Sequence, residues 1–177
     1  MRAPSPHTRL CVHGVCNYGT GMGVAAEQPI ADGSSAVDGS VVGARRLGTE
    51  YLAEIGRATR GLIQPRAGAD GVDLVLAGRM TLFRFGLPQP TVDGDRTECR
   101  FEIRGGLLVG REGGSLVITQ HAGPAPELVV EVDGYVPRLD PAFSRRGVGG
   151  FLYRQIQERA HGAISRRFVE RMAQPRA

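Results

Sequence analysis

Glu102, within Arg100-Phe101-Glu102-Ile103-Arg104, is the residue best suited by type to general acid or base work. Tyr135, after Asp133-Gly134, is its natural hydrogen-bonding companion if both face one cavity. A carboxylate beside a phenol can move a proton without a metal or a nucleotide. The simpler reading of Arg100, Glu102, Arg104, Glu131 and Asp133 is a set of cross-strand ion pairs on a wet sheet face.

Six further positions could line a pocket on the apolar face. Alternation puts Cys99, Phe101 and Ile103 on one side of their strand, with Leu116, Ile118 and Gln120 on one side of the next. Met80, Leu82 and Arg84 come from a segment apolar on both faces. Phe101, Ile118, Met80 and Leu82 would then supply apolar contacts, and Gln120 and Arg84 polar ones. A buried arginine costs several kcal/mol unless paired, so an inward Arg84 needs a carboxylate or a polar ligand. The plainer alternatives are Arg84 in water and Gln120 bonded to backbone.

Much chemistry is excluded. All 22 basic residues are arginine, so neither Schiff-base catalysis nor a P-loop lysine is available. Cys11, His13 and Cys16 lack a fourth zinc ligand at a useful spacing. The glycines of 19–23 lack the preceding strand and following helix of a dinucleotide-binding unit, and those of 147–150 precede a helix but have no parallel sheet around them. His7, His121 and His161 fall in no catalytic pattern. We expect no cofactor and no metal.

These residues must be held by a chain of 177 residues, enough for one domain with a real core. The net charge is +4, but arginines alternate with carboxylates, which argues against a phosphate-tracking face and so against nucleic acid. The 3 cysteines form no disulfide framework. No apolar signal segment follows Met1-Arg2 and no run is long enough to span a membrane. We expect a cytoplasmic protein, not membrane-bound; a homodimer is compatible with the chain.

Residues 1–43 are poor in large apolar side chains and read as a leader or lid, with Leu10-Cys11-Val12 and Val41-Val42 as possible short strands. Residues 44–177 form the single pocket domain. Leu47, Tyr51, Ile55, Thr59 and Leu62 predict a helix over 44–63 that ends at Gln64-Pro65. Strand-like runs fill 71–136. Two long ones, 72–85 and 97–110, are expected to bend at Gly78 and at Gly105-Gly106. Leu152, Ile156, Ala160, Ile164, Phe168 and Met172 predict a long helix over 150–173 laid on the sheet.

The fold class is therefore α+β, mainly β: an antiparallel meander curled into a barrel or a strongly curved sheet, with an N-terminal and a long C-terminal helix. Over 44–173 this order resembles the START-like helix-grip fold, and the kinked strands resemble a calycin-like barrel. Both resemblances imply an apolar pocket and include carriers and cofactor-free cyclases of natural-product pathways. The expectation is a cofactor-independent cyclase or isomerase acting on an apolar, polyketide-like small molecule. The alternative is a non-catalytic carrier or sensor of a lipid or other apolar ligand. A third reading is a basic helix docked on a partner.

Overall fold

A computed structural model describes residues 11–12, 15–18, 21–29, 36–123, 127–134, 136–137 and 163–172. Helix α1 (Val41–Ala58) begins three residues earlier than its apolar stripe suggests. Ser40 explains this: its side-chain oxygen accepts the Gly43 amide at 3.0 Å, satisfying an orphan donor of the first turn. Val41 and Val42, expected in a strand, form that turn and are exposed.

The helix stops at Ala58, well before Pro65. Gly61 donates to the Gly56 carbonyl at 2.8 Å and Arg60 to Arg57 at 3.0 Å, the paired bonds of a Schellman cap. That frees Ile63–Gly68 to form β4, where the sequence suggested a helix end and a turn. β4 is an edge strand, where the missing N–H of Pro65 leaves no interior partner unbonded.

β5 (Gly71–Leu76) and β6 (Met80–Phe85) are two strands of a hairpin rather than one kinked strand. Gly78, with φ of +73°, belongs to the turn between them. A bulge between Leu74 and Val75 shifts the register, so both residues are buried and simple alternation fails here. β7 (Gln89–Asp93) lies in the expected proline loop and pairs with β8 (Arg96–Gly105). β8 ends at Gly105, and β9 (Val109–Arg111) is a separate short strand.

β10 (Ser115–His121) and β11 (Glu127–Asp133) complete the centre of the sheet. β1 (Cys11–Val12), β2 (Val15–Tyr18) and β3 (Gly21–Pro29) extend it, β3 pairing with β11 from Val24 opposite Val132 to Pro29 opposite Glu127. Part of the segment expected to be a leader or lid thus supplies strands. β12 (Val136–Pro137) pairs with β9.

The ten-stranded sheet runs β1-β2-β3-β11-β10-β8-β6-β5-β4, with β7 beside β8. Its end strands do not pair with each other among the described residues, so the sheet is open and the expected barrel closure is not formed. The class is α+β, a mainly antiparallel sheet with helices on one face.

Leu47, Tyr51, Leu52 and Ile55 of α1 pack on Phe101, Ile118 and Leu128 of the sheet. Gly48 lets the helix sit close: a Cβ there would lie 2.6 Å from the Cys99 sulfur. A second helix, α2, spans residues 163–172 and buries Phe168, Val169 and Met172. The rest of the expected terminal helix, 150–162, falls outside the described residues.

Candidate functional site

The face of β8, β10 and β11 that meets the helices is uncharged. It carries Thr97, Cys99, Phe101 and Ile103, then Leu116, Ile118 and Gln120, then Leu128 and Val130, all buried. Phe85 joins them from β6, its ring centroid 6.0 Å from that of Phe101. Six apolar residues pack against this core while only partly buried: Ala36, Ile63, Val72, Phe83, Val132 and Ile164.

The polar groups of this interior are bonded locally or held neutral. Gln120 is fully buried, and its amide exchanges two hydrogen bonds with the Val37 backbone, at 2.8 and 2.9 Å. Burial pushes the Cys99 thiol up to about 11, partly opposed by a bond from the Gly48 backbone. Burial likewise raises the Tyr51 phenol well above its ordinary range, against a smaller opposing effect of Ser165. Both groups stay protonated at neutral pH and act there as neutral hydrogen-bond partners.

The helix pair contains one buried charge. Glu54 is 1% exposed. It accepts from Arg57 Nε at 2.8 Å and from Arg171 Nε of α2 at 2.7 Å. One helical turn earlier the Tyr51 and Phe168 rings meet edge to face with centroids 5.4 Å apart. Sequence reasoning missed Glu54, although its place three residues after Tyr51 puts a carboxylate on the apolar stripe of α1.

The predicted site residues do not gather into one constellation. Phe101, Ile118, Leu82 and Gln120 are buried. Arg84 points to water, paired with Asp73 at 3.5 Å, because its neighbours Phe83 and Phe85 stack on each other on the other face. Met80 is 46% exposed at the start of β6, not interior. Glu102 is on the outer face of β8, in an ion pair with Arg104 at 3.3 Å. Tyr135 lies outside the described residues. His121, at the end of β10, is half-buried.

Two clefts open on the outer surface. One, of about 450 Å³, is bounded by Arg100, Glu102, Arg104, Glu112 and Asp133 around Ser115. The other, of about 370 Å³, lies between Arg66, Asp70, Asp73, Arg84 and Arg104 beside the β4–β5 turn. Both mix signs; Arg104 pairs with Glu102 in the first and Arg84 with Asp73 in the second. No group of three or more His, Cys, Asp or Glu suited to a metal occurs among the described residues.

No protein-family model matches the chain. No curated protein matches it either. Among solved structures it is similar to the crystal structure of Ara h 8.0201, at 13% identity and a TM-score of 0.40, over 86% of this chain and 97% of that one. A likeness at that level identifies neither a fold family nor a function.

Proposed function

We propose that this chain is a binding module for an apolar small molecule, taken up at the margin of the layer between the sheet and its helices. The observation that carries the reading is the partial burial of Val72, Phe83, Val132 and Ile164. These side chains pack against the core yet keep apolar surface in contact with water. Val72 and Phe83 lie on the paired strands β5 and β6, and Val132 lies on β11 beyond the buried Phe101 and Leu116. An apolar ligand covering either place gains about 25 cal/mol for each Å² removed from water. The facing interior offers it uncharged neighbours.

Cyclase or isomerase chemistry would ask more of the site. It needs a titratable group beside the ligand, and Glu102 and Arg84 lie in ion pairs on the other face of the sheet. The reading is therefore binding without catalysis.

Titration with 1-aminoanthracene, an uncharged apolar fluorophore, tests it. Saturable binding that weakens at least about fivefold in Val132→Ser or in Phe83→Ser supports the reading and says which place is used, since the affected residue loses roughly 1 kcal/mol or more of apolar contact. Arg84→Ala serves as a control, with circular dichroism confirming the fold of each variant. Absence of saturable binding, or equal binding by all variants, rules the reading out.

A further inference from the structure

Among the described residues the exposed large apolar side chains are Val41, Val42, Leu62, Met80, Leu87 and Leu107. Leu62, Met80 and Leu107 share one end of the molecule. Ala77 donates to the Leu62 carbonyl at 2.8 Å, and Leu107 donates to the Thr81 carbonyl at 2.9 Å. Leu76 is the register partner of both Ile63 and Met80. The three side chains therefore follow one another across the rim formed by the end of α1, the β5–β6 turn and the turn after β8. They are 57%, 46% and 48% exposed.

The charge on this rim is mainly positive, with the Glu112 carboxylate close to Gly105 in the turn after β8. Residues 55–69, 74–92 and 103–111 contain arginines but no aspartate or glutamate. Arg60 and Arg79 are exposed in the two turns, and the Arg66 guanidinium reaches Gly78, 3.3 Å from where a Cβ would stand. A further neighbouring carboxylate, Asp73, is occupied by Arg84 at 3.5 Å and by the Thr81 hydroxyl.

The backbone adds an independent observation. Among the described residues, the non-glycine positions with positive φ are Arg60 at +52° and Ala77 at +49°. Both lie on this rim. Arg60 occupies the left-handed position of the α1 cap, where glycine is the ordinary residue. The chain tolerates this strain and keeps a guanidinium at the rim.

We infer that this rim docks on an anionic phospholipid surface, Leu62, Met80 and Leu107 entering the headgroup boundary while Arg60, Arg66 and Arg79 meet lipid phosphates. Apolar side chains flanked by arginines match both layers of such a surface, the acyl boundary and the negative headgroups. Docking is peripheral: no described helix is long and apolar enough to cross a membrane.

Flotation with phosphatidylcholine vesicles, with and without phosphatidylglycerol, tests this on the full chain. The expected result is binding that needs the anionic lipid, falls with added salt and weakens about fivefold for each arginine removed. Arg60→Gly is the decisive variant. It relieves the positive φ and leaves the fold intact, yet is expected to lose that fivefold. Met80→Ser should weaken binding to the same vesicles, and Val42→Ser, at the other end of α1, should not. Equal binding by Arg60→Gly, Met80→Ser and the parent chain overturns the inference, as does failure to float with anionic vesicles. A dimer in light scattering that Met80→Ser dissociates would also overturn it, assigning the rim to a second copy.

Discussion

Gln120 and Val37 are paired like two residues of adjacent strands, although 83 positions separate them. The Val37 amide donates to Gln120 Oε1 at 2.9 Å, and Gln120 Nε2 donates to the Val37 carbonyl at 2.8 Å. The side chain thus closes the backbone of the segment leading into α1 onto the centre of the sheet. Gln120→Leu keeps the volume but leaves a buried donor and acceptor unmet. Each unmet group costs about 1–3 kcal/mol, so a loss of roughly 2–4 kcal/mol is expected in urea unfolding. A loss below about 0.5 kcal/mol would mean that water replaces the amide there.

The Glu54–Arg171 pair makes a second prediction. Arg57 and Arg171 are half exposed, whereas Glu54 is buried, so the two kinds of truncation differ. Arg171→Ala leaves Glu54 with Arg57 and should cost about 1 kcal/mol, in the range of partly solvated pairs. Glu54→Ala removes the hub from both arginines and opens a small cavity, costing roughly 2–3 kcal/mol. The double variant should fall short of the sum, because the two truncations remove one shared contact. Additive losses in a double-mutant cycle would show that the pair contributes nothing to holding α2.

Much of this architecture is legible in the sequence where one physical pattern dominates. The alternation of β8 separates buried Cys99, Phe101 and Ile103 from exposed Arg100, Glu102 and Arg104 because one face meets the helices and the other meets water. The α1 stripe of Leu47, Tyr51 and Ile55 reads equally well. β10 defeats the same logic: Ser115, Val117 and Thr119 are buried along with Leu116, Ile118 and Gln120. Val117 is flanked by Arg100 and Glu131, whose long stems can cover it while their charges stay wet. β4 and β7 were hidden by Pro65 and Pro90, which an edge position or a strand end tolerates. Gly78 reads as a kink because its turn partner is Ala77, not the asparagine or aspartate that signals a hairpin. The candidate site was the least legible part, since burial at Val72, Phe83 and Val132 depends on how far elements distant in sequence reach over them.

Gly48 offers a case in which two effects of opposite sign compete. In a helix interior, glycine to alanine gains roughly 1 kcal/mol of propensity. Here the new methyl would stand 2.6 Å from Cys99 Sγ and 2.7 Å from the Phe101 ring. Both neighbours are buried in the sheet and cannot swing away, and overpacking of this kind costs about 1–3 kcal/mol. Gly48→Ala is therefore expected to destabilise by about 1–2 kcal/mol net in chemical unfolding. Combining it with Cys99→Ala should recover only part of the loss, because the contact with Phe101 persists. A stabilised single variant would mean that α1 slides on the sheet at little cost.

Alkaline stability follows from Cys99 and Tyr51. Burial raises the thiol from 9.0 to about 11 in the folded chain, so folding favours its protonated form. Above the unfolded value the unfolded chain binds fewer protons than the native one, and stability falls as pH rises. The contribution of Cys99 is complete below pH 9.0 and is lost as pH climbs to about 11. Tyr51 is raised in the same direction, and its loss begins near the ordinary phenol value of 10.0 and continues upward. Urea midpoints measured at about pH 8 and about pH 10.5 should therefore drop for the parent chain and drop less for Cys99→Ala and for Tyr51→Phe. The thiol should also resist a disulfide reagent in the native state and react on unfolding, since the thiolate is the attacking form. Rapid native labelling at neutral pH, with an alkaline drop unchanged in Cys99→Ala, would show that the sulfur is not sealed beneath Gly48.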